Sequence, residues 1–206
     1  MDIENAGGSG PRTWFTSDPH FGHGNIITYC RRPFHSVENM NKLLVMQWNE
    51  VVAPEDTVYV LGDVLLGRRE EMAGVIESLN GTKLLIPGNH DRCWPGHKKV
   101  GTWPQRYVDG GFAQVLDPQV DLSHLFDMDV EACHFPFSGD SHDEDRYSSH
   151  RPEDRGQWLL HGHVHNAWRV RDRQINVGVD VWGYYPVQLE TLRTIMLAGT
   201  LAGAAP

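Results

Sequence analysis

Six short apolar segments of the chain each run into a glycine, a turn or a cluster of Asp, Asn and His residues. Short apolar runs that stop in this way are typical of buried β-strands. The runs, each with the cluster that follows it, are residues 13–16 and 17–20, 57–61 and 62–63, 83–86 and 87–91, 130–133 and 134, 158–160 and 161–165, and 174–177 and 178–180. Ligands of α/β sheets gather at the carboxyl ends of the strands, so these clusters predict one shared site.

Two stretches have the periodicity of helices. After a candidate N-cap at Ser36, apolar residues recur every three or four positions over residues 37–51. Residues 67–79 show similar spacing, and Asn80 with Gly81 ends the pattern. Strands that alternate with helices predict an α/β fold.

The length of 206 residues predicts a single domain over residues 1–206. We expect flexible ends at residues 1–11 and 198–206. Residues 138–157 contain almost no apolar side chain, which predicts either a long functional loop or a disordered insertion. The aromatic residues of segment 92–118 are expected to pack that segment down rather than to bind a ligand.

Composition excludes several classes of protein. The chain has 27 acidic and 18 basic residues, a net charge of −9, which argues against extended binding to nucleic acid. Cys30, Cys93 and Cys133 form no CxxC pair and are odd in number, so we expect no disulfide framework and a reducing, cytoplasmic location. The sequence lacks a signal-peptide pattern and an apolar run of about 18 residues, so no membrane association is expected. The oligomeric state is left open.

Histidine is unusually frequent, with 12 residues against 4 lysines. Two divalent ions that share a site need imidazole and carboxylate ligands, one of them bridging, and no thiolate is required. Taken singly, each candidate has an ordinary alternative, such as a turn or cap for an Asp and a buried core position for a His. Together, the strand-end clusters supply seven candidate ligands: Asp18, His20, Asp63, Asn89, His134, His163 and His165.

The motifs that hold these residues resemble the signature of the calcineurin-like metallophosphoesterase superfamily, in particular its small bacterial and bacteriophage members. The motifs are, in chain order, Asp18-x-His20, Gly62-Asp63, Gly88-Asn89-His90-Asp91, His134 and Gly162-His163-Val164-His165. One departure is Cys133, which stands where the family usually has a glycine. The resemblance implies an α/β fold made of a two-sheet β-sandwich flanked by helices, with a dinuclear metal site at the carboxyl ends of the strands.

The resemblance also implies a role for each motif residue. Asp18, His20 and His165 would hold the first ion; Asn89, His134 and His163 would hold the second; Asp63 would bridge them. His90 would protonate the leaving oxygen, and Asp91 would hydrogen-bond the His90 ring and orient it. Manganese is the favoured metal, with iron, zinc, nickel, cobalt and magnesium as alternatives.

The implied function is a phosphodiesterase that acts on small phosphodiesters or cyclic nucleotides through a metal-bridging hydroxide. Alternatives are a phosphomonoesterase or a nuclease on the same site, or a non-catalytic binding module of the same fold. His23, Arg31 and Arg32 are candidate substrate contacts, although a solvated loop position explains them as well. His161 is expected to lie buried beside the metals or to support a ligand.

Overall fold

The computed structural model describes residues 10–66, 74–141 and 146–203. The described chain forms two five-stranded sheets. The first has the order β10-β1-β2-β3-β4 and the second β5-β6-β7-β9-β8. The strands are β1 (Thr13–Thr16), β2 (Thr57–Val60), β3 (Thr82–Leu85), β4 (Gln114–Val115), β5 (Gln119–Asp121), β6 (Val130–Cys133), β7 (Trp158–His161), β8 (Val170–Arg171), β9 (Gln174–Asn176) and β10 (Val187–Gln188).

Each sheet is mixed, with parallel strands at its centre. Strands β1 to β4 are parallel, and β10 joins β1 in the antiparallel direction. In the second sheet β6, β7 and β9 are parallel, and the outer strands β5 and β8 are antiparallel. Thr16, Val60 and Leu85 lie side by side at the ends of β1, β2 and β3. The segments that follow these three strands therefore start from the same edge of the sheet.

The helices are α1 (Gly24–Tyr29), α2 (Val37–Val51), a helical stretch at residues 74–77, α3 (Trp103–Asp109), α4 (Ser123–Phe126) and α5 (Leu189–Gly203). Helix α2 confirms the predicted bounds and cap, because the hydroxyl of Ser36 accepts a hydrogen bond from the backbone N–H of Asn39 at 3.1 Å. The predicted apolar positions Met40, Leu44 and Trp48 are all buried. None of the helices in the described ranges is both long and apolar enough to cross a membrane.

Two large clusters of buried side chains hold these layers together. One joins α1 and α2 to the first sheet through residues such as Ile26, Leu44 and Val58. The other contains Phe15 of β1 and Leu160 of β7, so the two sheets share a core. Helix α5 contributes to that second cluster through Leu192 and Met196.

The structure confirms the mixed α/β class, and all six predicted strands occur within about one residue of their predicted bounds. It also contains short outer strands that were not predicted, namely β4, β5, β8 and β10. Helix α5 continues to Gly203, into the end that is expected to be flexible, and the flexibility of residues 198–206 stays a prediction. In segment 92–118 the rings of Trp94, Tyr107 and Phe112 are buried, as expected.

Parts of several predictions lie outside the described residues. They are residues 1–9 and 204–206 of the predicted flexible ends, 67–73 of the second predicted helix and 142–145 of the polar loop. The remaining part of that helix agrees with the prediction, because residues 74–77 are helical and Ile76 and Leu79 are buried. Gly81, which was predicted to end it, has φ +85°.

Candidate metal centre

The predicted ligands lie where the chain leaves its strands, and the backbone there is under strain. Positive φ is uncommon for a residue with a side chain and costs free energy, so the surrounding structure must hold it in place. Ten non-glycine residues of the described chain have positive φ, and five of them are predicted metal ligands: Asp18, His20, Asp63, His163 and His165.

Hydrogen bonds donated by backbone N–H groups fix these strained segments to one another. The N–H of Asp18 donates to Gly62 O at 3.1 Å, and the N–H of His20 donates to Asp63 O at 3.1 Å. Across the two sheets, the N–H of His163 donates to Asp18 Oδ2 at 3.0 Å. Segments that follow β1, β2 and β7 are thereby locked into one cluster.

Two glycines permit this close approach. A Cβ atom at Gly88 would collide with Asp63 Oδ1 and with His134 Nδ1. A Cβ atom at Gly162 would collide with Ser17 Oγ and Asp18 Oδ2. The glycines of the Gly-Asn-His-Asp and Gly-His-Val-His motifs are therefore required by packing around the carboxylates.

Asp18, His20 and His165 form one half of the centre. The Nε2 atoms of His20 and His165 lie 3.2 Å apart. Asp18 Oδ1 lies 3.7 Å from His20 Nε2 and 3.6 Å from His165 Nε2. This oxygen is buried and has no hydrogen-bond partner among the described residues. One carboxylate oxygen and two imidazole nitrogens that converge on one point form a ligand set that suits a cation.

Asp63 and His134 form the start of the other half. His134 Nδ1 lies 2.7 Å from the carbonyl oxygen of Leu61, which only accepts, so Nδ1 carries a hydrogen and, in the neutral ring, Nε2 carries a lone pair. That Nε2 atom is buried, has no partner in the described chain and lies 3.5 Å from Asp63 Oδ2. Asp63 Oδ2 also lies 3.8 Å from His20 Nε2, so the carboxylate faces both halves.

Asn89 and His163 complete the second half. Asn89 Oδ1 lies 3.1 Å from His163 Nδ1, and the rings of His163 and His134 have centroids 5.4 Å apart. The structure therefore brings all seven predicted ligands together at the strand ends.

Electrostatics in the cluster favours a bound positive charge. Burial alone would lower the pKa of His134, but the nearby Asp63 carboxylate raises it to about 10. Burial would raise the pKa of Asp63, yet His134, His20 and His90 bring it well below its usual value. Burial lowers the pKa of His163 to about 3, so this ring is neutral at pH 7. Buried carboxylates require compensating charge, which a proton on His134 or a metal cation supplies.

Cys133 takes no part in the cluster. Its side chain is buried against Trp94, Phe135 and Leu159, and burial raises the pKa of the thiol to about 12. A protonated thiol in apolar surroundings behaves as a small hydrophobic side chain, so the candidate ligand set consists of nitrogen and oxygen atoms.

A pocket of about 250 Å³ opens above the cluster. His90 lies at its rim with 45% of its side chain exposed and Nε2 4.0 Å from Asp63 Oδ2. His23 also lines it, 5.3 Å from His20 between ring centroids, as expected for a substrate-facing residue. The described residues that line the pocket are His20, His23, Ile26, Tyr29, Asp63, Leu66, Asn89, His90, Ser141, Arg146, His163 and His165.

The role expected for Asp91 does not match the structure. Its carboxylate accepts hydrogen bonds from the backbone N–H groups of Asp63, Gly88 and Val64 at 2.7–3.1 Å and from the Tyr107 hydroxyl at 3.2 Å. No hydrogen bond to the His90 ring occurs among these. Asp91 therefore ties together the segments that follow β2 and β3, and it does not orient the His90 imidazole.

The two arginines proposed as substrate contacts are a further correction. Arg32 is buried, pairs with both carboxylate oxygens of Asp180 at 2.8 Å and donates to the carbonyls of Asp18 and Pro19. Its guanidinium is thus engaged by the fold and supports the backbone of a predicted ligand. Arg31 is exposed and is not among the residues that line the pocket.

His161, in contrast, is buried as expected. Its Nδ1 atom bonds the carbonyl oxygen of Gly162 at 2.7 Å, and its ring packs on Trp168.

Sequence reasoning missed Asp140 and Arg146. Asp140 Oδ2 lies 3.1 Å from His163 Nε2, and the same carboxylate pairs with Arg146 at 2.8 Å. Both residues belong to the polar loop 138–157, where charged residues are so common that spacing singles out none of them. Asp140 is identified only by its contact with His163, 23 positions away in the chain, and Arg146 only by its pairing with Asp140 and its place in the pocket lining.

Comparisons with known proteins give relatives without an assigned activity. No family model matches the chain. It is 36% identical over 182 residues to the gene 66 protein of Mycobacterium phage L5, covering 83% of this chain and 87% of that protein. It is 31% identical over 197 residues to the uncharacterized protein MJ1445 of Methanocaldococcus jannaschii, covering 91% of this chain and 93% of that protein.

A second phage protein and a solved structure agree with these matches. The gene 66 protein of Mycobacterium phage D29 is 34% identical over 180 residues, covering 82% of this chain and 88% of that protein. The crystal structure of AQ665 from Aquifex aeolicus, a protein of unknown function, superposes with a TM-score of 0.69 at 24% identity, covering 90% of this chain and 99% of that one. This likeness shows that the two chains share a fold.

Proposed function

This chain belongs to the family that includes the gene 66 proteins of Mycobacterium phages L5 and D29, and we propose that it is a metal-dependent phosphoesterase of the calcineurin-like type. One observation carries the proposal. Two buried carboxylates, Asp18 and Asp63, and three histidines converge at the strand ends, and Asp18 Oδ1 and His134 Nε2 face the cluster without a hydrogen-bond partner among the described residues. Such orphaned buried atoms cost free energy unless something binds them.

The residues fit a pair of divalent ions, with manganese favoured. Asp18, His20 and His165 would hold one ion, and Asn89, His134 and His163 the other, with Asp63 between them. The donors are all nitrogen and oxygen, which suits manganese, iron, zinc, nickel, cobalt or magnesium. Divalent ions bound there would offset the charge of phosphoryl oxygens and make a water molecule more acidic.

The geometry of His90 favours an enzyme over a binding module of the same fold. Its ring lies at the pocket rim outside both ligand groups, and its backbone N–H donates to Asp63 Oδ1 at 2.8 Å. A histidine held there can deliver a proton to the leaving oxygen of an ester bound in the pocket. Asp91 supports this arrangement through the backbone, since it fixes the N–H groups of Gly88 and Asp63.

A phosphodiester is the substrate we favour over a monoester. Small members of the family that the motifs resemble act more often on phosphodiesters than on phosphomonoesters, and His90 is placed to protonate the alkoxide that such an ester releases. The pocket of about 250 Å³ has room for a small ester or a cyclic nucleotide. The net charge of −9 disfavours long nucleic acids as substrates. The three cysteines are free and buried, in keeping with a cytoplasmic enzyme.

The test is hydrolysis of a bis-aryl phosphate by protein that has been stripped of metal, with and without added manganese. We expect turnover that depends on manganese in the wild type and falls at least 100-fold in Asp63→Asn, because that change removes a charged ligand from both halves. Asp117→Asn is the matched control, since Asp117 is exposed and does not line the pocket. An aryl monophosphate assayed in parallel decides between diester and monoester preference. Turnover that is absent with every metal, or equal in Asp63→Asn, would contradict the proposal.

A further inference from the structure

In the described part of the polar loop 138–157, the carboxylate of Asp140 contacts the candidate metal centre. The Asp140 side chain is fully buried although it lies in a segment of charged and small residues. Oδ2 lies 3.1 Å from His163 Nε2, while Oδ1 lies 2.8 Å from Arg146 Nη2. The backbone N–H of Arg146 also donates to Oδ2 at 3.1 Å. A carboxylate held so firmly from its own loop is a fixed partner for the imidazole.

His163 needs such a partner because its own backbone is strained. Its φ is +68°, a conformation that a residue with a side chain keeps only where several contacts enforce it. The backbone N–H is tied to Asp18 Oδ2, and the ring lies edge-on to Phe135 and Tyr147 at 5.0 and 5.7 Å between centroids. Packing places the ring, but rings alone do not choose which nitrogen carries the hydrogen.

The contact with Asp140 determines which ring nitrogen of His163 carries the hydrogen. A carboxylate only accepts hydrogen bonds, so the nitrogen that faces it, Nε2, carries the hydrogen. In the neutral ring Nδ1 then has a lone pair, and it faces Asn89 Oδ1 at 3.1 Å. Both atoms then offer lone pairs on the same side, which suits a shared cation, whereas without a cation the Asn89 amide can turn its NH2 group toward Nδ1.

We propose that Asp140 is a positioning residue for His163, which fixes the ring with its Nδ1 lone pair turned toward the Asn89 half of the metal centre. Through the same carboxylate, Asp140 holds Arg146 on the pocket wall, where 39% of the Arg146 side chain is exposed. The loop is thereby a structural part of the centre. The role in metal binding rests on the function proposed above, whereas the role in fixing the ring does not.

The first measurement is nitrogen-15 NMR of the imidazole nitrogens in metal-free protein, with the His163 signals assigned by their loss in His163→Gln. In the wild type we expect the Nε2–H tautomer. In Asp140→Asn the amide can donate to Nε2, so the Nδ1–H tautomer should become populated. Asp154→Asn is the matched control in the same loop, because the Asp154 carboxylate pairs with Arg173 at the surface and does not line the pocket, and its His163 signals should match the wild type.

The second measurement is manganese binding by calorimetry on the same proteins. In Asp140→Asn we expect one of the two ions to bind about 10- to 100-fold more weakly, the usual effect of removing a carboxylate behind a histidine ligand. Asp140→Glu should recover part of that loss, and Asp154→Asn should bind both ions as the wild type does.

Unchanged His163 signals together with unchanged manganese binding in Asp140→Asn would overturn the proposal. If the wild type binds no divalent ion, the proposed function fails, and the ring-nitrogen signals of the metal-free proteins still decide the role of Asp140.

Discussion

Histidine side chains of this protein differ in what their surroundings allow them to do. His20 and His134 are buried, with ring nitrogens directed at carboxylates, so they are suited to hold a cation. His161 is equally buried, but burial lowers its pKa to about 3 and its ring bonds the Gly162 carbonyl and packs on Trp168, so it supports the fold. Of these four histidines, His90 is the one that is exposed at the pocket rim and also close to Asp63. These differences come from burial and from neighbours, and the sequence pattern revealed only part of them.

The His90→Ala variant tests the division between ligand and acid. We expect it to retain both metal ions, because no ligand group contains His90, and to lose about 100- to 10,000-fold in kcat on alkyl diesters. The loss should be smaller on aryl diesters, since an aryl oxide leaves without a proton. The measurement is kcat for both substrates together with metal content.

His35→Ala is the matched control for this change, because His35 is exposed and remote from the pocket lining. A loss of bound metal in His90→Ala, or equal losses on alkyl and aryl diesters, would show that His90 has another role.

At the scale of elements, the central strands were predictable because each is a short apolar run that ends in a turn or a polar cluster. Helix α2 was predictable because its apolar residues recur every three or four positions after an N-cap. Strands β4, β8 and β10 have only two residues each, too few for a period, and they form because a partner strand is already in place. Helix α5 carries Leu192 and Met196 at helical spacing, but the Ala- and Gly-rich end of the chain suggested flexibility instead. Residues 197–200 are exposed, so the end of α5 continues a helix that Leu192 and Met196 already fix to the core.

Arg32 shows how elements are joined at the site. It links the turn after α1 to Asp180 in the 3₁₀-helix Val179–Val181 and to the carbonyls that follow β1. We expect Arg32→Ala to lower the free energy of unfolding by about 3–5 kcal/mol, because it leaves a buried carboxylate without its partner. Urea denaturation of metal-free protein measures this.

The neighbouring Arg31→Ala is a stringent control, since the exposed Arg31 side chain should change stability by less than about 0.5 kcal/mol. Equal effects at the two positions would mean that the Arg32–Asp180 pair contributes little.

Across the whole molecule, the site joins two sheets that share an apolar core. Asp18, His20, Asp63 and Asn89 follow strands of the first sheet, whereas His134, His163 and His165 follow strands of the second. The order of motifs in the sequence predicted that these residues converge. It did not predict how loop 138–157 returns to the site through Asp140 or that Arg32 is buried, since both depend on contacts between distant segments.

A centre built from both sheets should couple metal binding to global stability. Ions that bind only the folded chain stabilise it by RT ln(1 + [L]/Kd), about 2.7 kcal/mol for one ion at 100 times its Kd. For a domain of this length that corresponds to a rise in Tm of about 5–10 °C on adding manganese to stripped protein. In Asp63→Asn the rise should be mostly lost, because the carboxylate that faces both halves is gone, whereas Asp117→Asn should respond as the wild type does. A wild-type Tm that is independent of manganese would mean that protons, and not metal ions, compensate the carboxylate charge of the strand-end cluster.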